Sequence, residues 1–127
     1  MVYVNLYYSD MGIMSAKLGM TLEALDSRET DRFRGIFIEN YVSIALKNNG
    51  YNLWYWESDN TAEVDFLIQK ESHVIPVECK AGDHVKAKSL SVYKDKCQPI
   101  YAIRISTRNF GMVNGIKSVP LYSVFCI

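Results

Sequence analysis

The chain has 127 residues, 49% hydrophobic and 22% charged, with 14 basic and 14 acidic side chains and therefore no formal net charge. That length supports one domain around one core and excludes two. The neutral balance argues against strong autonomous binding to nucleic acid, which usually brings a basic excess. No run approaches the roughly 18 apolar residues of a membrane span and no basic-then-apolar leader opens the chain, so the expectation is a cytoplasmic protein with no membrane partner.

Residues 1–30 read as an extension packed on a core formed by residues 31–127. Val2, Val4, Leu6 and Tyr8 alternate with Tyr3, Asn5 and Tyr7, which permits a short strand. Ser9 or Asp10 is placed to cap a helix carrying Ile13, Met14, Ala16 and Leu18, which Gly19 would stop. Thr21 to Ser27 offers another turn, and Asp26 to Asp31 is polar enough for a loop. An initiator methionine directly before a strand-like segment is how an excised domain begins, so the chain is expected to be part of a longer protein.

Asp31 to Asn49 predicts the longest helix, its inner stripe formed by Ile36, Phe37, Asn40, Tyr41, Ile44 and either Ala45 or Leu46, with Asn48, Asn49 and Gly50 as the stop. Glu39 borders that stripe, so its carboxylate either meets a partner or aims at a cleft. Leu53 to Ser58 is aromatic and strand-like, and Ser58, Asp59 and Asn60 supply a turn.

Glu63 to Lys80 then reads EVDFLIQKESHVIPVECK, two alternating runs around a polar centre, the pattern of a β-hairpin. Val64, Phe66 and Ile68 are set on one face and Glu63, Asp65 and Leu67 on the other. In the second run Ile75, Val77 and Cys79 oppose Pro76, Glu78 and Lys80. A turn at Glu71 and Ser72 pairs Lys70 with His73, and counting outward sets Asp65 opposite Glu78 and Glu63 opposite Lys80. Opposed residues on one face have Cβ atoms about 4.5 to 5.5 Å apart, close enough for two carboxylates to share an ion.

After a break at Ala81-Gly82-Asp83, Val85 to Lys96 predicts a helix with Val85, Leu90 and Val92 or Tyr93 inside. Pro99 to Ile105 alternates as a strand, Thr107 to Ser118 reads as loop, and Pro120 to Phe125 as a closing strand. Helix, three strands, helix and strand predict an α/β (α+β) fold with a mixed central sheet flanked by helices. Cys79, Cys97 and Cys126 are odd in number and widely spaced, which argues against a disulfide framework or a structural zinc site.

Charge is unevenly spread. Glu57, Asp59, Glu63, Asp65, Glu71 and Glu78 face only Lys70 in their stretch, whereas Lys80, Lys86, Lys88, Lys94, Lys96, Arg104 and Arg108 outnumber Asp83 and Asp95 in the next. An acidic cleft beside a basic flank suits a metal site that meets a polyanion, with Lys86 and Lys88 nearest for nucleic acid. A solvated helix face explains the same lysines. Magnesium or manganese needs hard oxygen ligands and one or two carboxylates, which Asp65 and Glu78 provide, with the backbone carbonyl of Cys79 as a further oxygen. Lys80 is then placed to orient a water or to stabilise a developing anion, which would hydrolyse a phosphodiester. The competing reading is a surface hairpin with a Glu63–Lys80 ion pair worth about 0.2 to 1 kcal/mol.

The D-x12-E-x-K spacing of Asp65, Glu78 and Lys80, with Glu39 on a preceding helix, resembles the PD-(D/E)XK nuclease superfamily. More narrowly, LYYSDMGIM at 6–14, FRGIFIENYV at 33–42, YWESDNTAEVDFLI at 55–68, VIPVECKAG at 74–82, SLSVY at 89–93 and VPLYSVF at 119–125 resemble the domain of unknown function found C-terminal to AAA-type ATPases in bacteria and archaea. The resemblance implies a restriction-endonuclease-like fold, metal-binding carboxylates at Asp65 and Glu78, a catalytic lysine at Lys80 and, at Glu39, the acid that the superfamily's helix often contributes as an optional further metal ligand. Val64 stands where the motif has proline, which removes no ligand. It further implies an AAA-type ATPase domain in the same natural chain and DNA as substrate, or else a non-catalytic module that binds or assembles with the ATPase. This chain has no G-x-x-x-x-G-K-[ST] phosphate loop of its own.

Overall fold

In the computed structural model the described residues are 4–21, 23, 31–58, 62–82 and 88–127. Most of the expected turn at 21–27 and loop at 26–31, residues 59 and 60 of the expected turn at 58–60, and the stretch 83–87 with Lys86 lie outside them. Helix α1 spans Met11–Leu18 and α2 spans Asp31–Asn48. Strands β1 (Trp54–Ser58), β2 (Ala62–Lys70) and β3 (His73–Cys79) follow. Helix α3 (Lys88–Cys97) then crosses to β4 (Ala102–Ser106), and β5 (Gly111–Val113), β6 (Ile116–Pro120) and a 3-10 helix, Leu121–Cys126, complete the chain.

The six strands form one mixed sheet in the order β1-β2-β3-β4-β6-β5. Pairing is antiparallel through β1, β2 and β3, parallel from β3 to β4 and from β4 to β6, and antiparallel between β6 and β5. The mixed sheet with flanking helices is the predicted class. On one face Val42 and Leu46 of α2 pack against Ile68, Ile75, Val77, Ile103 and Ile105. On the other, Leu90 and Tyr93 of α3 pack with Val64 and Ala102, and Tyr93 meets Trp56 edge-on at 5.1 Å.

Local signals placed several elements correctly. The Asp10 side chain accepts from the Ile13 N–H at 2.9 Å at the start of α1, and Gly19 ends it at φ +63°, where a side chain would be strained. The β2–β3 turn falls at Glu71 and Ser72, with Lys70 level with His73 as counted.

Four expectations are corrected. Residues 4–8 form no strand, and the main chain at Tyr8 is bonded to a helix instead: Tyr8 N–H donates to Asn40 Oδ1 at 2.8 Å, and Asn40 Nδ2 donates to Tyr8 O at 3.1 Å. The inner stripe of α2 is corrected in part: Phe37, Asn40, Ala45 and Leu46 are buried as expected, but Ile38 and Val42 join the core and Ile36 is half exposed at 50%. Residues 107–118 are not simply loop, since Asn114 and Gly115, both at positive φ, join β5 to β6 as a two-residue hairpin turn. The terminal LYSVF is a 3-10 helix, in which the consecutive residues Ser123 and Val124 are both buried, as strand alternation would not allow.

The fifth correction matters most for the site. Trp54 is level with Leu67 but Trp56 with Val64, so Tyr55 faces two residues of β2, Asp65 and Phe66. This bulge breaks the predicted alternation. Val64 and Leu67 belong to the α3 side, Phe66 and Ile68 to the α2 side.

The Asn114-Gly115 turn yields a test. A Cβ at Gly115 would meet nothing closer than Lys94 Nζ at 3.6 Å, so Gly115→Ala isolates the backbone cost of φ +71°. Urea unfolding should show a loss of about 1 to 2 kcal/mol, and an unchanged midpoint would contradict the turn.

Candidate functional site

The β2–β3 ladder runs from Lys70–His73 to Phe66–Val77 and stops there. The next expected pair, Asp65 with Glu78, does not form as a ladder pair because the bulge displaces Asp65. Instead the Cys79 N–H donates to Asp65 Oδ2 at 2.6 Å. The Lys80 N–H donates to Ile105 O at 2.8 Å, so β3 stays joined to β4 while it parts from β2. The carboxylate of Asp65 lies in the opening between the two strands.

That position dehydrates it. Burial raises the Asp65 pKa to about 7; the Cys79 N–H opposes the rise, Glu39 adds to it, Lys80 opposes it and Glu78 adds to it. Asp65 therefore sits within the field of all three other predicted site residues. The Cys79 thiol, packed against the core, is pushed up by burial and then by Asp65, Glu39 and Glu78, which removes it as a nucleophile.

Glu78 alternates with Val77 and Cys79 and so faces the α3 side. It is 1% exposed, and among the described residues neither carboxylate oxygen accepts a hydrogen bond. Lys80 Nζ stands 3.0 Å from Oε1, an ion pair without hydrogen-bond alignment. A buried carboxylate left this way costs free energy, since pairing in low dielectric offsets dehydration only when the remaining lone pairs are also satisfied. The expected Glu63–Lys80 support is thereby corrected: Lys80 is held by Glu78, and Glu63 is exposed on β2 opposite Glu57 of β1.

Glu39, half-buried on α2, has a partner. Tyr7 donates its hydroxyl to Glu39 Oε1 at 2.7 Å, with its ring 5.5 Å from that of Phe66. Burial, followed by the bond to Glu39, pushes the Tyr7 phenol up. The Asn40 grip on Tyr8, one residue along, fixes this placement. Tyr7 and Asp65 both line a groove of about 670 Å³ between residues 4–9, α2 and the start of β1, with Lys47 and Trp54 on its walls. Sequence reasoning missed Tyr7, and no local pattern marks a contact 32 residues long.

Much of the basic flank is otherwise engaged. Lys96 donates to Ser58 Oγ at 2.6 Å and lies 5.8 Å over the Trp56 ring, and Lys94 donates to the Asn114 carbonyl. Lys88 is exposed at the first turn of α3.

The donor set suits a hard divalent ion. Glu78 offers two buried oxygens without hydrogen bonds, Asp65 a second carboxylate, and Lys80 a cation that limits the net negative charge. Among the described residues no group of three or more His, Cys, Asp or Glu side chains is arranged around one point. Magnesium, which keeps several waters and takes one or two carboxylates, asks for no such group.

The model of a family described as a domain of unknown function, DUF4143, matches residues 34–124. No curated protein and no solved structure matches the chain.

The Asp65 environment has a measurable consequence without metal. Its folded pKa is raised, so the folded state holds the proton more tightly than the unfolded chain. That contribution is full below the ordinary value of 3.8 and is lost as pH rises to about 7. Asp65→Asn keeps an acceptor for the Cys79 N–H and no charge. Its stability relative to wild type should rise by on the order of 4 kcal/mol from about pH 4 to about pH 8, about three units at 1.36 kcal/mol each. A difference that stays flat would show that the carboxylate is not dehydrated.

Proposed function

The chain belongs to the DUF4143 family, a name that assigns no activity, and from the geometry of the strand opening we propose a metal-dependent phosphodiester hydrolase acting on DNA. The observation that carries this reading is Glu78, a carboxylate 1% exposed whose oxygens accept no hydrogen bond among the described residues, beside Lys80 and next to the opening that holds Asp65. A structural role would favour satisfied oxygens, whereas a ligand must keep them free.

On this reading Asp65 and Glu78 hold magnesium or manganese, with the Cys79 carbonyl as a third oxygen. When bound, the ion supplies Lewis-acid stabilisation of charge on the phosphoryl group and an acidified water. Lys80 neutralises Glu78 beforehand and faces the negative charge that grows on the phosphoryl oxygens. The bond from the Cys79 N–H fixes the orientation of the Asp65 carboxylate. Tyr7 holds Glu39 so that this third acid tunes the field at Asp65 and is not itself a ligand. The ATPase implied by the sequence resemblance would deliver DNA to this site.

A second reading, a module for assembly with that ATPase, draws on the edge strand β5, where Met112 and Val113 are exposed beside Phe110.

Cleavage separates the two. Supercoiled plasmid and branched DNA, incubated with the protein and magnesium or manganese, should be cut by wild type and by neither Asp65→Ala nor Glu78→Ala, with losses of at least about 100-fold expected for groups that assist the chemistry. Equal rates in wild type and Glu78→Ala would overturn the hydrolase reading. Manganese should also raise the melting temperature of wild type and leave that of Glu78→Gln unmoved; equal shifts would place any bound ion elsewhere.

A further inference from the structure

Glu78 on β3 is level with Arg104 on the parallel neighbour β4. The residues flanking each, Val77 and Cys79 on one strand and Ile103 and Ile105 on the other, pack on the α2 side. Glu78 and Arg104 therefore share the opposite face, on strands about 4.8 Å apart. Side chains of opposite charge at such a spacing would normally join. Here no ion pair links them: Glu78 has its only ionic contact with Lys80 among the described residues, and the Arg104 Nε is buried with no hydrogen-bond partner.

A buried carboxylate whose one ionic contact is Lys80, beside a half-buried arginine whose Nε is buried and unpartnered among the described residues, is costly as it stands. The cost is removed if a cation meets the carboxylate while an anion meets the guanidinium. A divalent ion and a phosphoryl oxygen form such a pair. Arginine suits the second task, because its guanidinium stays charged and its planar fork matches two phosphoryl oxygens at once. The row is extended by Ser118 of β6, level with Arg104 on the far side and half-buried, which adds a hydroxyl to the same face.

We infer that Arg104 is a substrate-binding residue, which grips the phosphoryl group of the nucleic acid beside Glu78. The inference rests on the hydrolase reading for its substrate, and it adds the group that holds the anion, which the carboxylates and Lys80 leave unassigned. The conservative change to lysine keeps the charge and loses the fork.

The test measures binding separately from cleavage. A fluorescein-labelled duplex oligonucleotide is titrated with the whole chain in calcium, intended to support binding without turnover, and again in EDTA. Arg104→Met should weaken binding by about tenfold or more, the loss expected for a hydrogen bond to a charged group, and Arg104→Lys should restore part of it. The manganese-induced shift in melting temperature should stay as in wild type. If Arg104→Met and Arg104→Lys, both folded by circular dichroism, bind the duplex as wild type does, the inference is overturned and the hydrolase reading stands. If wild type shows no manganese shift yet Arg104→Met still loses duplex binding in EDTA, the phosphate grip is supported and the hydrolase reading fails. Should Arg104→Met not fold, Arg104→Lys decides: binding equal to wild type overturns the role of the fork.

Discussion

One hydrogen bond organises the site, the donation of the Cys79 N–H to the Asp65 carboxylate. An antiparallel ladder would ordinarily give that N–H a main-chain acceptor. The extra residue in β2 opposite Tyr55 breaks the register, and a side chain takes the place of the carbonyl. A carboxylate enters the sheet between two strands and loses water, which lifts its pKa. Because β3 remains bonded to β4, Glu78 and Lys80 keep their positions while β2 turns away. A regular hairpin would have placed Asp65 and Glu78 side by side on one wet face. The bulge produces a split, with Glu39 and Tyr7 approaching Asp65 from the α2 side and Glu78 on the α3 side.

This arrangement separates the acids by role. Glu78 is buried without hydrogen bonds, Asp65 is bonded to the main chain, and Glu39 accepts from Tyr7. Of the lysines in the basic flank, Lys94 and Lys96 are committed to the β5–β6 turn, Ser58 and Trp56, while Lys88 is exposed. Arg104, on a strand in the middle of the sheet, stands level with Glu78, whose ion pair is with Lys80.

What the sequence made legible follows from the range of each interaction. Asp10 and Gly19 announced the ends of α1, and the Glu71-Ser72 turn announced the hairpin register, because caps and turns act over a few residues. The Asn114-Gly115 hairpin carried an equally local signal, obscured by a second glycine at Gly111 and by the shortness of β5. The bulge was not readable, since the alternation of Val64, Phe66 and Ile68 is continuous in hydrophobicity and both faces of the sheet are covered. A residue moved from one dry face to the other leaves no polar mismatch behind. Tyr7 on Glu39 and Arg104 beside Glu78 depend on contacts between distant segments, for which one sequence offers no periodicity.

The central claim is that the opening between β2 and β3 is a divalent-cation site held by Asp65 and Glu78. It is tested most directly by a crystal structure grown with manganese and mapped by anomalous scattering. The account predicts one strong peak in contact with both carboxylates and with the Cys79 carbonyl, and Lys80 turned from Glu78 toward the open side. A map with no peak there, and with Glu78 still paired to Lys80 alone, would contradict it.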